Sequence, residues 1–357
     1  MKLFLLLLNV VFLILPVCAK EAPSIDYWDN IKRTVAETGF NGTIIVGRGE
    51  QIFLQKSVGY ADTAKTIPLT GSHLFSPGSV GKEFTTVSIM QLAAKNKLKY
   101  QDNITKYVDG LPAWANNITI QHILTHTSGL PDVQWKRGIN TADAIQQIQQ
   151  GTLAFEPGTG YKYTNFNVVV RALIVESITG QRYAKYVADT IFNVADMTGA
   201  FHQTKDDETY RRGVVSGDYP TNITGLTIYV TPLDLFKFEN ALWNGSLLST
   251  DQLKQALPGD SLSGQTNRAY FDFGKFLVDD NGSLVSWEHD GSNPSHHTIK
   301  YHDFISGNIF ILMSSDGNKS TLYKLLNELK VSTSEEIKTA NLKANKSMQP
   351  TAETSAD

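Results

Sequence analysis

The chain of 357 residues has a single cysteine, Cys18. A disulfide framework and a cysteine-rich zinc site are therefore excluded. It lacks any block of like charge, and its 32 Lys+Arg against 35 Asp+Glu give a formal charge of −3. That balance argues against nucleic acid or an anionic membrane surface as the main partner. No internal repeat is visible. Beyond the first twenty residues, no apolar run approaches the roughly 20 residues a membrane-spanning helix needs. What is there is an ordinary globular mixture, 41% apolar and 19% charged, with 27 Gly and 12 Pro. Such a length supports a large core without a covalent staple.

The two ends differ from the rest. Lys2, the apolar stretch Leu3 to Leu15 (broken by Asn9), Pro16 and then Val17-Cys18-Ala19 have the layout of a secretory signal peptide cut after Ala19. Export to the periplasm or the exterior is expected, with residues 1–19 removed and no membrane span in the mature chain. Removal also takes the only thiol and with it cysteine catalysis. Acylation of Cys18 as a lipoprotein is the less favoured alternative, because Val17 stands where a small residue is needed. Residues 332–357 are rich in Ser, Thr, Ala, Lys and Glu and poor in large apolar side chains, the composition of a disordered tail.

Between them the apolar spacing changes twice. Ser24 to Phe40 carries Ile25, Trp28, Ile31 and Val35 at helical intervals. Thr43–Val46 and Gln51–Ser57 look like strands around a Gly47-Arg48-Gly49 turn. Ser79 to Leu98 is expected to form one buried helix. Further helices are expected at Thr119–Thr125, Thr141–Gln150, Asn167–Thr179 and Tyr183–Phe192. Strand signals then return: Gly274–Val278 and Leu284–Glu288 flank Asp280-Asn281-Gly282, and Thr298–Tyr301 and Asn308–Ser314 flank a turn at 303–307. A helix at Ser320–Leu329 follows. The simplest packing is an α+β fold: one antiparallel sheet made from both ends of the chain, flanked by N- and C-terminal helices, with an all-helical region inserted. The domain would span 20–331, its sheet part about 20–78 and 220–331 and its helical part about 79–219.

Three short stretches could do chemistry. In Pro77-Gly78-Ser79-Val80-Gly81-Lys82, a serine opens a helix and a lysine follows three residues later, on the same face. A neutral amine there could take the hydroxyl proton, which a serine nucleophile needs. The alternative is a helix cap beside a solvated lysine. A phosphate-binding loop is excluded by Ser76 and Glu83, and a nucleophile elbow by Pro77. In Tyr163-Thr164-Asn165, a phenol that can move a proton sits two residues from an amide that can bind a carbonyl, although Asn165 would also cap the next helix. In His289-Asp290-Gly291-Ser292, a glycine at a strand end admits a substrate backbone, although a plain strand end with a partly exposed His289 would read the same way.

Taken in order, Ser-x-x-Lys, Tyr-x-Asn and basic-x-Gly resemble the serine penicillin-recognising enzymes. The Tyr-x-Asn form is similar to the class C β-lactamase branch, which also holds serine DD-peptidases, esterases and β-lactamase-related hydrolases. Phe40-Asn41-Gly42, Gly59-Tyr60-Ala61-Asp62, Leu124-Thr125-His126-Thr127-Ser128-Gly129-Leu130, Glu156-Pro157-Gly158 and Ile178-Thr179-Gly180 fit the same resemblance, which runs from about 26 to 330. It implies an acyl-serine hydrolase without cofactor or metal, acting on a small molecule or peptide, with catalytic Ser79, Lys82 and Tyr163. It also implies substrate contacts from Asn165, His289, Gly291 and Ser292, the Ser79 and Ser292 amides forming an oxyanion hole. The expected bond is a D-Ala-type peptide or β-lactam amide; the alternatives are other small esters or amides, or a receptor that is acylated without turnover. Two departures weigh against efficient β-lactam hydrolysis: histidine replaces the lysine of Lys-Thr-Gly, and Leu226 and Thr227 stand where glycines are expected.

Other histidines carry blander expectations. His296, His297 and His302 read as a surface cluster rather than a metal site, and His126 as a structural residue under the site's floor. Trp114 and Trp135 are expected to pack or to wall a cleft.

Overall fold

The computed structural model describes residues 29, 32–33, 35–203, 213–216, 221–258, 261–315 and 318–331. The expected signal peptide and the expected disordered tail lie outside them, as do eight of the seventeen residues of Ser24 to Phe40; residues 29, 32–33 and 35–37 are helical.

A seven-stranded antiparallel sheet runs in the order β2-β1-β9-β8-β7-β6-β5. Its strands are β1 (Gly42–Arg48), β2 (Gln51–Val58), β5 (Thr266–Arg268), β6 (Lys275–Val278), β7 (Leu284–Ser292), β8 (His297–Asp303) and β9 (Asn308–Ser314). Phe201–His202 (β3) and Ile228–Tyr229 (β4) form a separate small ribbon. The first two strands sit beside the last, so both ends of the chain build one sheet.

Period-2 alternation sorts the side chains onto two buried faces. Ile44, Val46, Phe310 and Leu312 join Val35, Phe40, Leu322, Leu325 and Leu329 in an outer core under the terminal helical segments, the last of which covers 319–331. Ile45, Ile309, Ile311 and Met313 face the other way into the main core, which the inserted helices share. Of these, α1 (Lys82–Ala94) runs through the interior with both charged residues of its first turn, Lys82 and Glu83, buried. Around it lie α2 (Ile120–Leu124), α3 (Thr141–Gln150), α4 (Phe166–Thr179), α5 (Tyr183–Val187) and α6 (Pro232–Trp243).

Expected and observed elements differ at informative places. Ser79 does not lie in an α-helix: Gly78–Gly81 form a 3-10 turn, and the α-helix begins at Lys82. Gly78 sits at φ +56°, which starts that tight turn, and Asn96 at φ +55° closes the helix before Leu98. Tyr183–Phe192 is α-helical only to Val187 and then widens into a π-turn. Sequence reading passed over α6, although Thr231 receives the Asp234 N–H, Asp234 bonds back to the Thr231 N–H, and Pro232 opens the helix.

Candidate active site

The serine turn is held at both sides by backbone. Phe75 exchanges two hydrogen bonds with Val230, at 2.9 and 3.0 Å. The Ser76 N–H donates to His296 Nδ1 at 3.0 Å. On the sheet side, the end of β7 packs directly on the turn. A Cβ added at Gly291 would lie 2.1 Å from Pro77 O and 2.7 Å from Ser79 N; one at Gly78 would lie 2.5 Å from Ser292 N. Only glycine at both positions lets the two backbones approach this closely, and that approach puts the Ser79 and Ser292 amides beside one opening.

In a 3-10 turn, residues i and i+3 eclipse each other, so Lys82 stands over Ser79. Lys82 Nζ donates to Ser79 Oγ at 2.9 Å. The Tyr163 hydroxyl reaches the same oxygen from a distant loop, at 2.7 Å. Lys82 Nζ also lies 5.1 Å from the centre of the Tyr163 ring. The structure therefore brings Ser79, Lys82 and Tyr163 into one hydrogen-bonded group.

The tyrosine loop is positioned by Asp132 and His126. Asp132 Oδ1 accepts from the Asn165 N–H at 3.2 Å and from Thr164 Oγ1 at 3.3 Å. The Asn165 side chain makes no cap bond to α4, so capping is not its role. It lines the cleft instead. The His126 ring lies against Tyr163, centroids 4.5 Å apart. His126, at φ +57°, is pinned on both nitrogens: Nδ1 faces Asn167 Nδ2 at 2.9 Å, and Nε2 is 3.0 Å from Asp272 Oδ2. Arg171, fully buried, donates to Asp272 at 2.8 Å and to Thr86 Oγ1 at 2.6 Å. Burial alone would raise the Asp272 carboxyl, but His126 and Arg171 together pull it well below the usual carboxylate range. Asp272 is therefore ionised within its ion pair with Arg171, and Lys82 adds to the charges that hold it so.

Ser79 sits between two cavities. The larger, about 540 Å³, is lined by Trp135, Asn165, Leu226, Tyr229 and Ser292 among others. The smaller, about 230 Å³, lies on the other side of Tyr163 and includes His126, Tyr161, Arg268, Asp272 and His289. All seven residues singled out in the sequence border the serine or these cavities, but not in equivalent ways. His289 is buried rather than partly exposed, with Nδ1 2.6 Å from Glu83 Oε1. Ser292 Oγ pairs with His297 Nδ1 at 3.1 Å.

The expected surface cluster of His296, His297 and His302 is not on the surface. All three are buried, and each has a different task. His296 clips Ser76 to the Ser216 carbonyl, His297 meets Ser292, and His302 Nδ1 lies 3.1 Å from Glu239 Oε1. Alternation along β8 turns His302 inward, which its position beside a turn concealed. Sequence reading also missed Glu83, Arg171 and Asp272. Asp272 had a legible signal: a lone acid within Tyr270-Phe271-Asp272-Phe273 must be paired if that apolar run is buried.

The Beta-lactamase family pattern matches residues 29–333. The chain belongs to the Beta-lactamase family. It is similar to Penicillin-binding protein 4* of Bacillus subtilis, 30% identical over 303 residues that cover 74% of this chain. The chain spans 66% of that relative's own length, just under two thirds. Its fold matches a penicillin-binding protein from Bacillus halodurans, with TM-score 0.72 and 22% identity over 84% of this chain and 98% of that one. It also matches D-amino acid amidase from Ochrobactrum anthropi, with TM-score 0.70 and 23% identity over 88% and 99%. The chain thus has the α+β fold of the Beta-lactamase family and is related to the penicillin-binding proteins.

Proposed function

We propose that this protein hydrolyses the amide bond of a small peptide ending in a D-amino acid, or a β-lactam that mimics one, through an acyl-enzyme on Ser79. The observation that carries this reading is the convergence of Lys82 Nζ and Tyr163 OH on Ser79 Oγ, at 2.9 and 2.7 Å. Ser79 Oγ attacks the carbonyl carbon, and its proton passes to the Lys82–Tyr163 pair. The carbonyl oxygen becomes an oxyanion held by the Ser79 and Ser292 N–H groups. Collapse breaks the C–N bond, and the pair returns the proton to the leaving nitrogen. Water, deprotonated by the same pair, then cleaves the ester and restores Ser79. Asn165 orients the substrate carbonyl group on the acyl side, and His289 meets the leaving group on the side of the smaller cavity.

A second reading follows from the larger cavity. Trp135, Leu226, Ile228 and Tyr229 offer an apolar wall, which suits a bulky acyl group in an ester or amide. A D-Ala-D-Ala peptide, a chromogenic cephalosporin and a p-nitrophenyl ester assayed side by side separate the two. Release of D-alanine with the highest kcat/KM supports the peptide reading. Turnover of the ester alone replaces it with the second, and stable acylation without turnover by any of the three would make the protein a receptor. We also propose export with removal of residues 1–19, supported by their composition; the mass of the protein recovered outside the cell tests it. No helix among the described residues is long and apolar enough to cross a membrane.

A further inference from the structure

Behind the catalytic group lies a buried chain of charges that the acylation scheme does not use. Glu83 follows Lys82 on α1 and is fully buried. One of its oxygens faces His289 Nδ1 at 2.6 Å and the other faces Lys300 Nζ at 2.8 Å. Lys300 continues to Glu239 on α6, which also accepts from Trp243 Nε1 at 2.6 Å and meets His302 at 3.1 Å. The sheet explains why these groups meet. His289 and Lys300 are directly opposed on β7 and β8, so their side chains share the face toward α1.

Burial of this many ionisable groups is costly unless each finds partners. Burial would lower the Lys300 ammonium, but Glu239 and Glu83 keep it raised. Burial would likewise raise Glu239, but Lys300 and His302 hold it at about 2. Two carboxylates thus share one ammonium, and the imidazoles of His289 and His302 stand at the two ends of the cluster. With Lys300 on its second oxygen, Glu83 is the acceptor in the His289 contact, so Nδ1 carries the proton. Nδ1 being committed inward, Nε2 is the nitrogen left for the cavity that His289 lines.

We propose that Glu83 is a positioning residue: anchored by Lys300, it fixes the tautomer and orientation of His289 so that Nε2 faces the leaving-group side of the cleft and selects leaving groups bearing a carboxylate. This rests on the hydrolase reading above. Glu83 itself touches neither Ser79 Oγ nor, in that scheme, the substrate.

The experiment is a double-mutant cycle on two substrates that share one acyl group and one scissile bond, a peptide with a free C-terminal carboxylate and its C-terminal amide. Glu83→Gln is expected to lower kcat/KM about tenfold for the acid, chiefly through KM, and less than twofold for the amide. His289→Gln is expected to show the same selectivity loss, and the double variant no further loss. Equal losses on both substrates, or losses that multiply in the double variant, would overturn the proposal. The wild-type protein supplies a test that does not depend on the variants folding. Long-range ¹⁵N spectra should show the His289 proton on Nδ1, and an unprotonated Nδ1 would overturn the proposal as well. If neither substrate is turned over and Ser79 is not labelled by a fluorophosphonate, it is the hydrolase reading that fails; the tautomer measurement still decides the role of Glu83.

Discussion

Replacing Tyr163 by phenylalanine removes one oxygen and leaves the ring in place. The ring would keep its packing on His126 at 4.5 Å and its place 5.1 Å from Lys82 Nζ, while the 2.7 Å bond to Ser79 Oγ is lost. Because Tyr163 is 38% exposed and its hydroxyl borders the cleft, stability should change by no more than about 0.5 kcal/mol. Acylation should change far more. A positioned acid–base group is worth about 10²–10⁴ in rate, or roughly 3–5 kcal/mol of barrier. The assay compares a p-nitroanilide with a p-nitrophenyl ester of the same acid. Both need the serine proton removed, but only the anilide nitrogen must receive a proton to leave. Tyr163→Phe should therefore lower kcat/KM within that range for the anilide and by a smaller factor for the ester. Acylation of both substrates at the wild-type rate, by a variant with unchanged melting temperature, would refute the proton path.

Further outcomes follow from the packing and the charges. Gly291→Ala places a Cβ 2.1 Å from Pro77 O; overpacking there should cost about 1–3 kcal/mol in urea unfolding and, by parting the two amides, lower kcat about 10²-fold or more. Wild-type kcat in that variant would show that the amides do not act together. Asp272→Asn leaves Arg171 and His126 facing a neutral group, with an expected loss of about 3–5 kcal/mol in the same measurement; a loss below about 1 kcal/mol would contradict the buried-pair account. Acid should unfold the protein through Asp272 and Glu239. Both carboxyls are held below their unfolded values, Glu239 at about 2 against 4.5, so the unfolded chain binds protons first. Their stabilisation is complete above about pH 5 and is lost as pH falls from 4.5 toward 2 and below. A urea midpoint that stays constant from pH 5 to pH 2.5 would disprove it.

The sheet and most helices were legible because their apolar spacing is regular. Thr141–Gln150 and Asn308–Ser314 match the expected bounds residue for residue. The serine–lysine spacing was legible too, but the backbone that makes it work was not. A reading by helical spacing put Ser79 in an α-helix, whereas Gly78 and the close approach of Gly291 impose a 3-10 turn. That approach is a contact between residues more than two hundred apart, which local spacing cannot encode. His289 is legible as a site residue but its inward partner is not, because in the sequence Glu83 is only a polar residue after Lys82 that breaks a phosphate-binding pattern. The buried charges were the least legible feature. Glu83, Lys300 and Glu239 are each ordinary surface residue types, and only the folded arrangement gives each of them partners. The short strand Thr266–Arg268 was missed for a different reason: it is polar and mostly exposed at the sheet edge, so it carries little alternation.

The central claim is that Ser79 Oγ is the nucleophile. Brief exposure of the wild-type protein to a labelled penicillin or a fluorophosphonate, acid quenching and peptide mass spectrometry test it directly. The account predicts one adduct, on the peptide containing Ser79, which disappears in Ser79→Ala and is strongly reduced in Lys82→Met. An adduct mapped to another residue, or undiminished labelling of Ser79→Ala, would contradict it.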